Sequence, residues 1–199
     1  MTRPSWWKAE ITPGNVVSWL LTTGTVITFV VMIRSDVNAL QGAKADADKR
    51  FDKIEGRTLV FVGDGNNVAR SLAIGCGMLG VRFILAAPDK YGFDAGFTKL
   101  YRQRLPACGM QFKDDPAEAV RYADIIYTDV WTSMGQEVEY ADRKKLFQRY
   151  QVNENLMALA KPGALFMHCL PAHRGEEVTD EVIESSISVV FDQAENRLH

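Results

Sequence analysis

Three stretches of the sequence pass from apolar residues directly into side chains that can bind or react. They are 58–67, 125–136 and 165–174, and the polar or reactive residues near their ends include Asn67, Asp129, Ser133 and Cys169. In an open parallel α/β sheet, ligands bind outside the carboxyl ends of the strands, in the loops that follow them. We therefore predict that the three stretches form one crevice for a small polar ligand.

Asp129 follows an apolar strand and has no basic neighbour in the sequence. Its carboxylate either caps a turn, which is the commoner use of such a residue, or receives a cationic group of a ligand. Ser133, Met134 and Gly135 come next and offer a hydroxyl and free backbone N–H groups, which suit a carboxylate. An acid beside such a loop describes a site for the two charged ends of an amino acid.

Gly63 and Gly65 lie between a strand and a helix, where dinucleotide-binding proteins have a glycine-rich loop. The third glycine of that pattern is replaced by Val68, and the acid expected on the second strand is absent, since Asp89 lies beyond a proline. We predict no cofactor, and the two glycines then either make a tight turn or admit a polar ligand. Asn67 at the helix start suits a carboxylate or a phosphate.

Cys169 has two interpretations. A nearby histidine can favour the thiolate and so make a cysteine nucleophilic. Adjacent residues on a strand point to opposite faces, so the base would be His173 rather than His168. The alternative is a small buried apolar side chain, the more frequent use of cysteine.

The composition excludes several classes of protein. The chain has 199 residues, of which 47% are hydrophobic, and a formal net charge of -2, so no nucleic acid partner is expected. Three cysteines without a Cys-x-x-Cys spacing argue against a disulfide scaffold and a structural zinc site, and we predict no metal. A reducing compartment is expected.

Residues 57–199 alternate between short apolar strands and amphipathic helices. Strands are predicted at 58–62, 82–86, 110–112, 125–128, 165–168 and 188–191, and helices at about 68–79, 97–105, 116–122 and 141–150. This alternation predicts an α/β fold with a doubly wound, Rossmann-like parallel sheet.

The N-terminal segment 1–34 has a different pattern. Residues 16–33 are 18 residues without a charge, which is the length of a transmembrane helix, and tryptophans lie near its start. The excess of Lys and Arg after the span predicts that the rest of the chain is cytoplasmic. The alternative is a core segment, because Thr and Val also favour strands.

Residues 35–56 are predicted to form a helical stalk. The heptad positions of a short coiled coil, with spacings of three and four, are occupied by Val37, Leu40, Lys44, Ala47, Phe51 and Ile54, of which the lysine and the alanine weaken the apolar seam. A single amphipathic helix or linker is the alternative.

Four motifs together resemble the ornithine carbamoyltransferases of the aspartate/ornithine carbamoyltransferase family. They are Phe-Val-Gly-Asp-Gly-Asn-Asn at 61–67, Asp-Val-Trp-Thr-Ser-Met-Gly-Gln-Glu at 129–137, His-Cys-Leu-Pro-Ala-His-Arg-Gly at 168–175 and Phe-Asp-Gln-Ala-Glu-Asn-Arg at 191–197. The resemblance covers residues 57–199 and the second, ornithine-binding domain of that family.

The resemblance implies a role for each matching residue. Ornithine would be held at its α-amino and α-carboxylate groups by Asn67, Asp129, Ser133 and Met134. Cys169 and Leu170 would lie beside its δ-amine and the carbamoyl group, and Arg197 would reach carbamoyl phosphate, so that Cys169 and Arg197 are the implied catalytic residues. The implied reaction transfers the carbamoyl group to ornithine and gives citrulline. A homo-oligomer, trimeric as in the family, is expected.

The sequence also departs from the family pattern. The Ser-x-Arg-Thr loop that binds carbamoyl phosphate in the family's first domain does not occur, so the carbamoyl phosphate site is expected to be incomplete. The sequence stops at His199, where the family continues into a closing helix, so the chain is expected to be truncated at its C-terminus. Two functions follow: a carbamoyltransferase, or an inactive, membrane-anchored amino-acid-binding or vestigial module.

The predicted span gives the first testable expectation. Because residues 16–33 carry no charge, the full chain should remain with membranes through an alkaline carbonate wash. Intact, monodisperse protein recovered without detergent in the soluble fraction would rule out the span.

Overall fold

The computed structural model describes residues 54–107, 109–132 and 140–196. The predicted span at 16–33 and all but the last residues of the predicted stalk at 35–56 lie outside these ranges. In the part of the chain that is described, no helix is both long enough and apolar enough to span a membrane.

The centre of the fold is a parallel sheet of five strands. The strands are β1 (Thr58–Val62), β2 (Arg82–Ala86), β3 (Met110–Lys113), β4 (Ile125–Thr128) and β5 (Leu165–His168). Their order across the sheet is β3-β2-β1-β4-β5, and all four pairs are parallel. The prediction of an α/β fold with a parallel sheet is confirmed.

Both faces of the sheet are covered, as the apolar character of its strands requires. All five residues of β1 are buried. Because side chains alternate along a strand, Leu59 and Phe61 pack into one apolar cluster, and Val60 and Val62 into another on the opposite face. This period of two places alternate residues of β4 on opposite faces as well.

Seven α-helices are described. They are α1 (Asn67–Met78), α2 (Ala95–Arg104), α3 (Pro116–Val120), α4 (Tyr140–Phe147), α5 (Glu154–Ala158), α6 (Asp180–Ile183) and α7 (Val190–Glu195). Several begin at a side-chain cap: Asn66, Asp94 and Asp115 each accept a backbone N–H of the first turn. The four helices predicted from the sequence are confirmed within a few residues, whereas α5, α6 and α7 were not predicted.

The strand predicted at 188–191 is wrong. Ser188 makes only an isolated parallel bridge with Phe166, and the chain then enters α7 at Val190. The β-branched residues of this stretch favour a strand. The amide of Gln193 nevertheless donates to the Val189 carbonyl at 2.8 Å, and α7 ends in Gln193, Ala194 and Glu195, which are good helix formers.

The Asp124 side chain connects the amino ends of β1 and β4. Its carboxylate accepts from Arg57 Nη1 at 2.9 Å, from the Thr58 amide at 2.9 Å and from Lys161 Nζ at 2.7 Å. Partial burial raises the pKa of Asp124, but the donors from Lys161, Thr58 and Arg57 outweigh this effect, and the pKa lies below its ordinary value. The carboxylate therefore stabilises the folded state.

We expect Asp124→Asn to lower the free energy of unfolding at pH 7 by about 2 kcal/mol, because two charge-assisted hydrogen bonds are lost. The stabilisation is fully present above about pH 4, the ordinary value for Asp, and is lost as the pH falls through the lower folded pKa. Urea denaturation followed by circular dichroism should therefore show the difference from wild type shrink below pH 4. The exposed Asp142→Asn is the control, and an equal effect there would contradict the assignment.

Candidate functional site

The crevice lies where the strand order reverses. The chain adds β2 and β3 on one side of β1 and then β4 and β5 on the other, so the loops after β1 and β4 diverge at the carboxyl edge. Such a reversal point is where open α/β sheets bind ligands. The three stretches predicted to form one crevice each contain one strand, β1, β4 or β5, and the loop after it, and these strands are adjacent in the sheet.

Asp129 joins the three strand ends. Its Oδ2 accepts from Asn66 Nδ2 at 3.1 Å, and Asn66 follows β1. Its Oδ1 accepts from the Cys169 thiol at 3.0 Å, and Cys169 follows β5. The Val130 amide also donates to Oδ1, at 2.8 Å. The structure thus brings together the predicted residues Asp129 and Cys169 and places Asp129 at the centre of the crevice.

Asn66, rather than Asn67, contacts Asp129. Asn66 is the N-cap of α1, because its side-chain oxygen accepts from the Ala69 amide at 3.0 Å while its amide nitrogen donates to Asp129. Asn67 is the first residue of the helix, and its side chain is exposed. The substrate-binding role of Asn67 stays a prediction.

Cys169 is held as a thiol. Burial, followed by the charge of Asp129 and its hydrogen bond with the sulfur, raises the pKa of Cys169 far above its ordinary value. His173, the candidate base, lies instead beside Glu176, with 3.8 Å between its Nδ1 and the carboxylate. Because nucleophilic cysteine requires a thiolate, this environment favours the interpretation of Cys169 as a buried hydrogen-bonding thiol.

The glycines of the first loop have structural causes. Gly63 has φ of +148°, a conformation that residues with a side chain rarely adopt. A Cβ on Gly65 would lie 3.0 Å from the backbone of Gly92 and from the ring of Phe93. Both glycines are thus required by the turn and by close packing.

His168 and Glu177 form a buried support beneath the third loop. The Leu170 amide donates to His168 Nδ1 at 2.9 Å, so the ring proton lies on Nε2 and is donated to Glu177 Oε1 at 3.2 Å. The His173 amide donates to the same carboxylate oxygen at 2.6 Å. These bonds hold Leu170, which has a positive φ of 51° and a cis peptide bond to Pro171, next to Cys169.

Arg143 connects α4 with the first and second loops. Its side chain is 4% exposed, donates to Asp64 Oδ2 and also donates from Nε to the Trp131 carbonyl at 2.7 Å. The guanidinium lies 4.7 Å from the centroid of the Tyr91 ring. Burial raises the pKa of Asp64 above its ordinary value, and the hydrogen bond and charge of Arg143 work against that rise.

Three of the predicted site residues lie outside the described ranges. They are Ser133 and Met134, after Asp129, and Arg197, just beyond the last described residue. Their predicted roles therefore stay predictions.

One cluster among the described residues has the side-chain types that bind metals. Ligand atoms of His173, Glu176 and Glu177 lie within 4.8 Å of one another. Lys144 Nζ already donates to Glu176 at 2.8 Å, and the donors of the His168 support occupy Glu177 Oε1. One oxygen of each carboxylate is thus engaged by donors of the protein itself, whereas Glu177 Oε2 is buried without a hydrogen-bond partner among the described residues.

Sequence reasoning missed Asn66, Asp64 and Arg143. The N-cap role of Asn66 could have been predicted, since an Asn directly before an amphipathic helix is a typical N-cap. The pairing of Asp64 with Arg143 spans 79 residues of sequence. No local pattern marks such a contact, because it depends on how α4 packs.

The buried pair yields a stability prediction. Removing Arg143 with Arg143→Met leaves Asp64 buried without its cation and should cost about 3–5 kcal/mol in the free energy of unfolding. The variant should lose further stability as the pH rises from 4 to 7, because the folded state then keeps a proton on Asp64 that the unfolded state releases.

Urea denaturation across that pH range measures both effects, and adding Asp64→Asn should remove the pH dependence. Arg149→Met is the matched control, since the Arg149–Asp114 pair is exposed and should change stability by about 1 kcal/mol or less. A loss no larger than that of the control would contradict the assignment.

Comparison with known proteins gives one consistent family. Residues 55–199 match the model of the aspartate/ornithine carbamoyltransferase Asp/Orn binding domain. The chain is 55% identical over 149 residues to the ornithine carbamoyltransferase of Thermococcus kodakarensis, covering 74% of this chain and 47% of that protein. The match to the ornithine carbamoyltransferase of Hyperthermus butylicus, 49% identical over 176 residues, covers 85% of this chain and 56% of that protein. The similarity therefore reaches further toward the N-terminus than the predicted limit at residue 57.

Solved structures agree. The ornithine carbamoyltransferase from Pyrococcus furiosus has a TM-score of 0.69 at 53% identity and covers 73% of this chain and 47% of that one. The mitochondrial ornithine carbamoyltransferase from Coccidioides immitis has a TM-score of 0.70 at 32% identity, covering 88% and 52%. The chain spans about half the length of the curated relatives it matches. It belongs to the aspartate/ornithine carbamoyltransferase family, with residues 55–199 matching that family's Asp/Orn binding domain.

Proposed function

We propose that this chain supplies the ornithine-binding half of an ornithine carbamoyltransferase, which transfers the carbamoyl group of carbamoyl phosphate to ornithine and forms citrulline. The observation that carries the proposal is the convergence of three strand-end loops on Asp129 at the reversal point of the sheet. The relatives named above are ornithine carbamoyltransferases, and the crevice has the acid that an amino-acid ligand requires.

Asp129 has capacity left for a cationic ligand. A carboxylate offers about four acceptor sites, and the described donors to Asp129 are Asn66, the Val130 amide and Cys169. Oδ1 takes two of these donors and Oδ2 takes one. We assign the remaining site on Oδ2 to the α-ammonium group of ornithine, whose charge strengthens the hydrogen bond.

The other contacts of ornithine follow from the order of the loops. Ser133 and Met134, which follow Asp129 in sequence, would receive the α-carboxylate together with Asn67 at the start of α1. The δ-amine would then lie toward the third loop, beside Cys169 and Leu170. This arrangement binds both charged ends of the amino acid and leaves its side chain directed toward the carbamoyl donor.

The reaction requires a neutral δ-amine, whose ordinary pKa is about 10. The amine nitrogen forms a bond to the carbamoyl carbon, the bond from that carbon to the phosphate oxygen breaks, and the nitrogen releases a proton. Orientation of the two substrates and stabilisation of the leaving phosphate would supply most of the acceleration. Arg197 is assigned to the phosphate, and the sequence contains no Ser-x-Arg-Thr loop to assist it.

Calorimetry with the full chain tests the proposal. We expect the chain to bind ornithine, and Asp129→Asn to weaken binding by about ten- to a hundredfold, because a charge-assisted hydrogen bond becomes a neutral one. Norvaline lacks the δ-amine, so its binding should still be weakened by Asp129→Asn. Putrescine lacks the carboxylate, so its binding should lose the contribution that the second loop makes to the affinity for ornithine.

Asp142→Asn is the control for loss of one acidic charge elsewhere on the chain. Absence of ornithine binding by the folded wild-type chain would reject the proposal. Equal affinities of wild type and Asp129→Asn would reject the assigned role of Asp129.

A citrulline assay tests the alternative of a non-catalytic amino-acid-binding module. Turnover of ornithine and carbamoyl phosphate by the purified chain would exclude the module, whereas binding without turnover fits both the module and an ornithine-binding half whose carbamoyl phosphate site is incomplete. The boundaries at 34 and 56, the membrane span at 16–33, the stalk and the trimer stay predictions.

A further inference from the structure

The last residue of β5 connects the third loop with a separate part of the fold. His168 and Glu177 are both fully buried. His168 Nδ1 accepts from the Leu170 amide at 2.9 Å, and its Nε2 donates to Glu177 Oε1 at 3.2 Å. The two ring nitrogens therefore have different partners, one in the loop beside the crevice and one beneath that loop.

Glu177 is a fixed anchor for this ring. Its carbonyl accepts from the Val152 amide at 2.8 Å, so its backbone is bound to the chain just before α5. Its Oε1 also accepts from the His173 amide at 2.6 Å. Because the His168 ring donates its Nε2 proton to this anchored oxygen, Nδ1 is left as an acceptor and its direction is fixed.

Leu170 needs such an acceptor because its backbone is strained. Its φ is 51°, in the left-handed region that residues with a side chain rarely adopt. A conformation of this kind persists only where the surrounding contacts impose it. The bond from its amide to the side chain of His168, two residues earlier, closes a turn of the kind that Asn and Asp form with their own side chains.

We propose that His168, anchored by Glu177, is a positioning residue that sets the specificity of the site for the δ-amine of its ligand. The ring fixes the backbone of Leu170, which the proposed function places beside that amine. His168 lies on the face of β5 that packs with Phe166, opposite to Cys169, so it acts through Leu170 and not by touching the ligand. The specificity rests on the proposed function, whereas the positioning of Leu170 does not.

Two substitutions separate the roles of the two ring nitrogens. In His168→Asn the side-chain oxygen can replace Nδ1, since Asn readily accepts from the amide two residues on, but the donor to Glu177 is lost. In His168→Gln the longer side chain can still donate to Glu177, but the acceptor at the Nδ1 position is lost. His168→Asn should be the less stable variant in urea denaturation, because it leaves a buried carboxylate with one donor fewer.

Amide hydrogen exchange of Leu170, followed by NMR on the full chain, tests the positioning without a ligand. We expect exchange about tenfold faster in His168→Gln, the equivalent of one hydrogen bond, and close to the wild-type rate in His168→Asn. The Val189 amide, which donates to the Phe166 carbonyl at 3.0 Å, is the internal control and should keep its rate in His168→Gln.

A purely structural role of His168 predicts a different order. Exchange of both amides would then follow the loss of stability and would be faster in His168→Asn than in His168→Gln. That order, or an unchanged Leu170 rate in His168→Gln, would overturn the proposal. Nitrogen NMR of the wild-type His168 ring gives a test that needs no variant: we expect a proton on Nε2 and none on Nδ1, and a proton on Nδ1 would also overturn it.

Calorimetry with ornithine and with norvaline, which lacks the δ-amine, measures the specificity. His168→Gln should lose about five- to tenfold of the preference for ornithine over norvaline and keep its norvaline affinity, because only the contact of Leu170 is displaced. His168→Asn should keep the wild-type preference, and Asp129→Asn should weaken both ligands.

An equal loss of affinity for the two ligands in His168→Gln would reject the role in specificity. If the wild-type chain binds no ornithine, the proposed function fails and the specificity fails with it. The exchange of the Leu170 amide and the NMR of the His168 ring then still decide whether His168 positions the loop.

Discussion

The hydrogen bonding of Asp129 is the constraint on which the site depends. A half-buried carboxylate must be compensated by donors, and here the donors come from the ends of three neighbouring strands. They meet only because β1, β4 and β5 are adjacent and parallel, with their carboxyl ends on one edge. The strand order thus creates the crevice at the point where the order reverses. The hydrogen bonds of Asp129 then fix the relative positions of the loops around that crevice.

Two further buried charged side chains, Arg143 and Glu177, hold the loops in place through their hydrogen bonds. Arg143 reaches both Asp64, after β1, and the Trp131 carbonyl, after β4, so one guanidinium fixes the separation of two loops. Beneath the third loop, Glu177 accepts hydrogen bonds from His168 and from the His173 amide. Breaking one partner of such a group leaves the other buried and uncompensated, which is why these contacts fix geometry more than they add net stability.

Much of this arrangement could be predicted from the sequence. The five strands of the sheet have short apolar runs that end in polar loops, and the period of two fixes which side chains are buried. The strand predicted at 188–191 failed because Val189 and Val190 have strand propensity, whereas the bond from Gln193 to Val189 starts a helix. Arg143 could not be assigned a role, since its partner Asp64 lies 79 residues away in sequence. Local propensity therefore identifies the loops, and tertiary packing decides which residues meet between them.

The protonation state of Cys169 limits the mechanisms that such a site could use. A covalent intermediate on sulfur would need the thiolate, yet burial and Asp129 both raise the pKa of this thiol and keep it protonated at neutral pH. The protonated thiol is instead a donor whose proton is already directed at Asp129. Under the proposed function, the carbamoyl group would therefore pass to ornithine by direct attack of the neutral amine, with the protein supplying orientation. The protonated thiol cannot take up the proton of the amine, so the amine would release it to another acceptor, such as water or the departing phosphate.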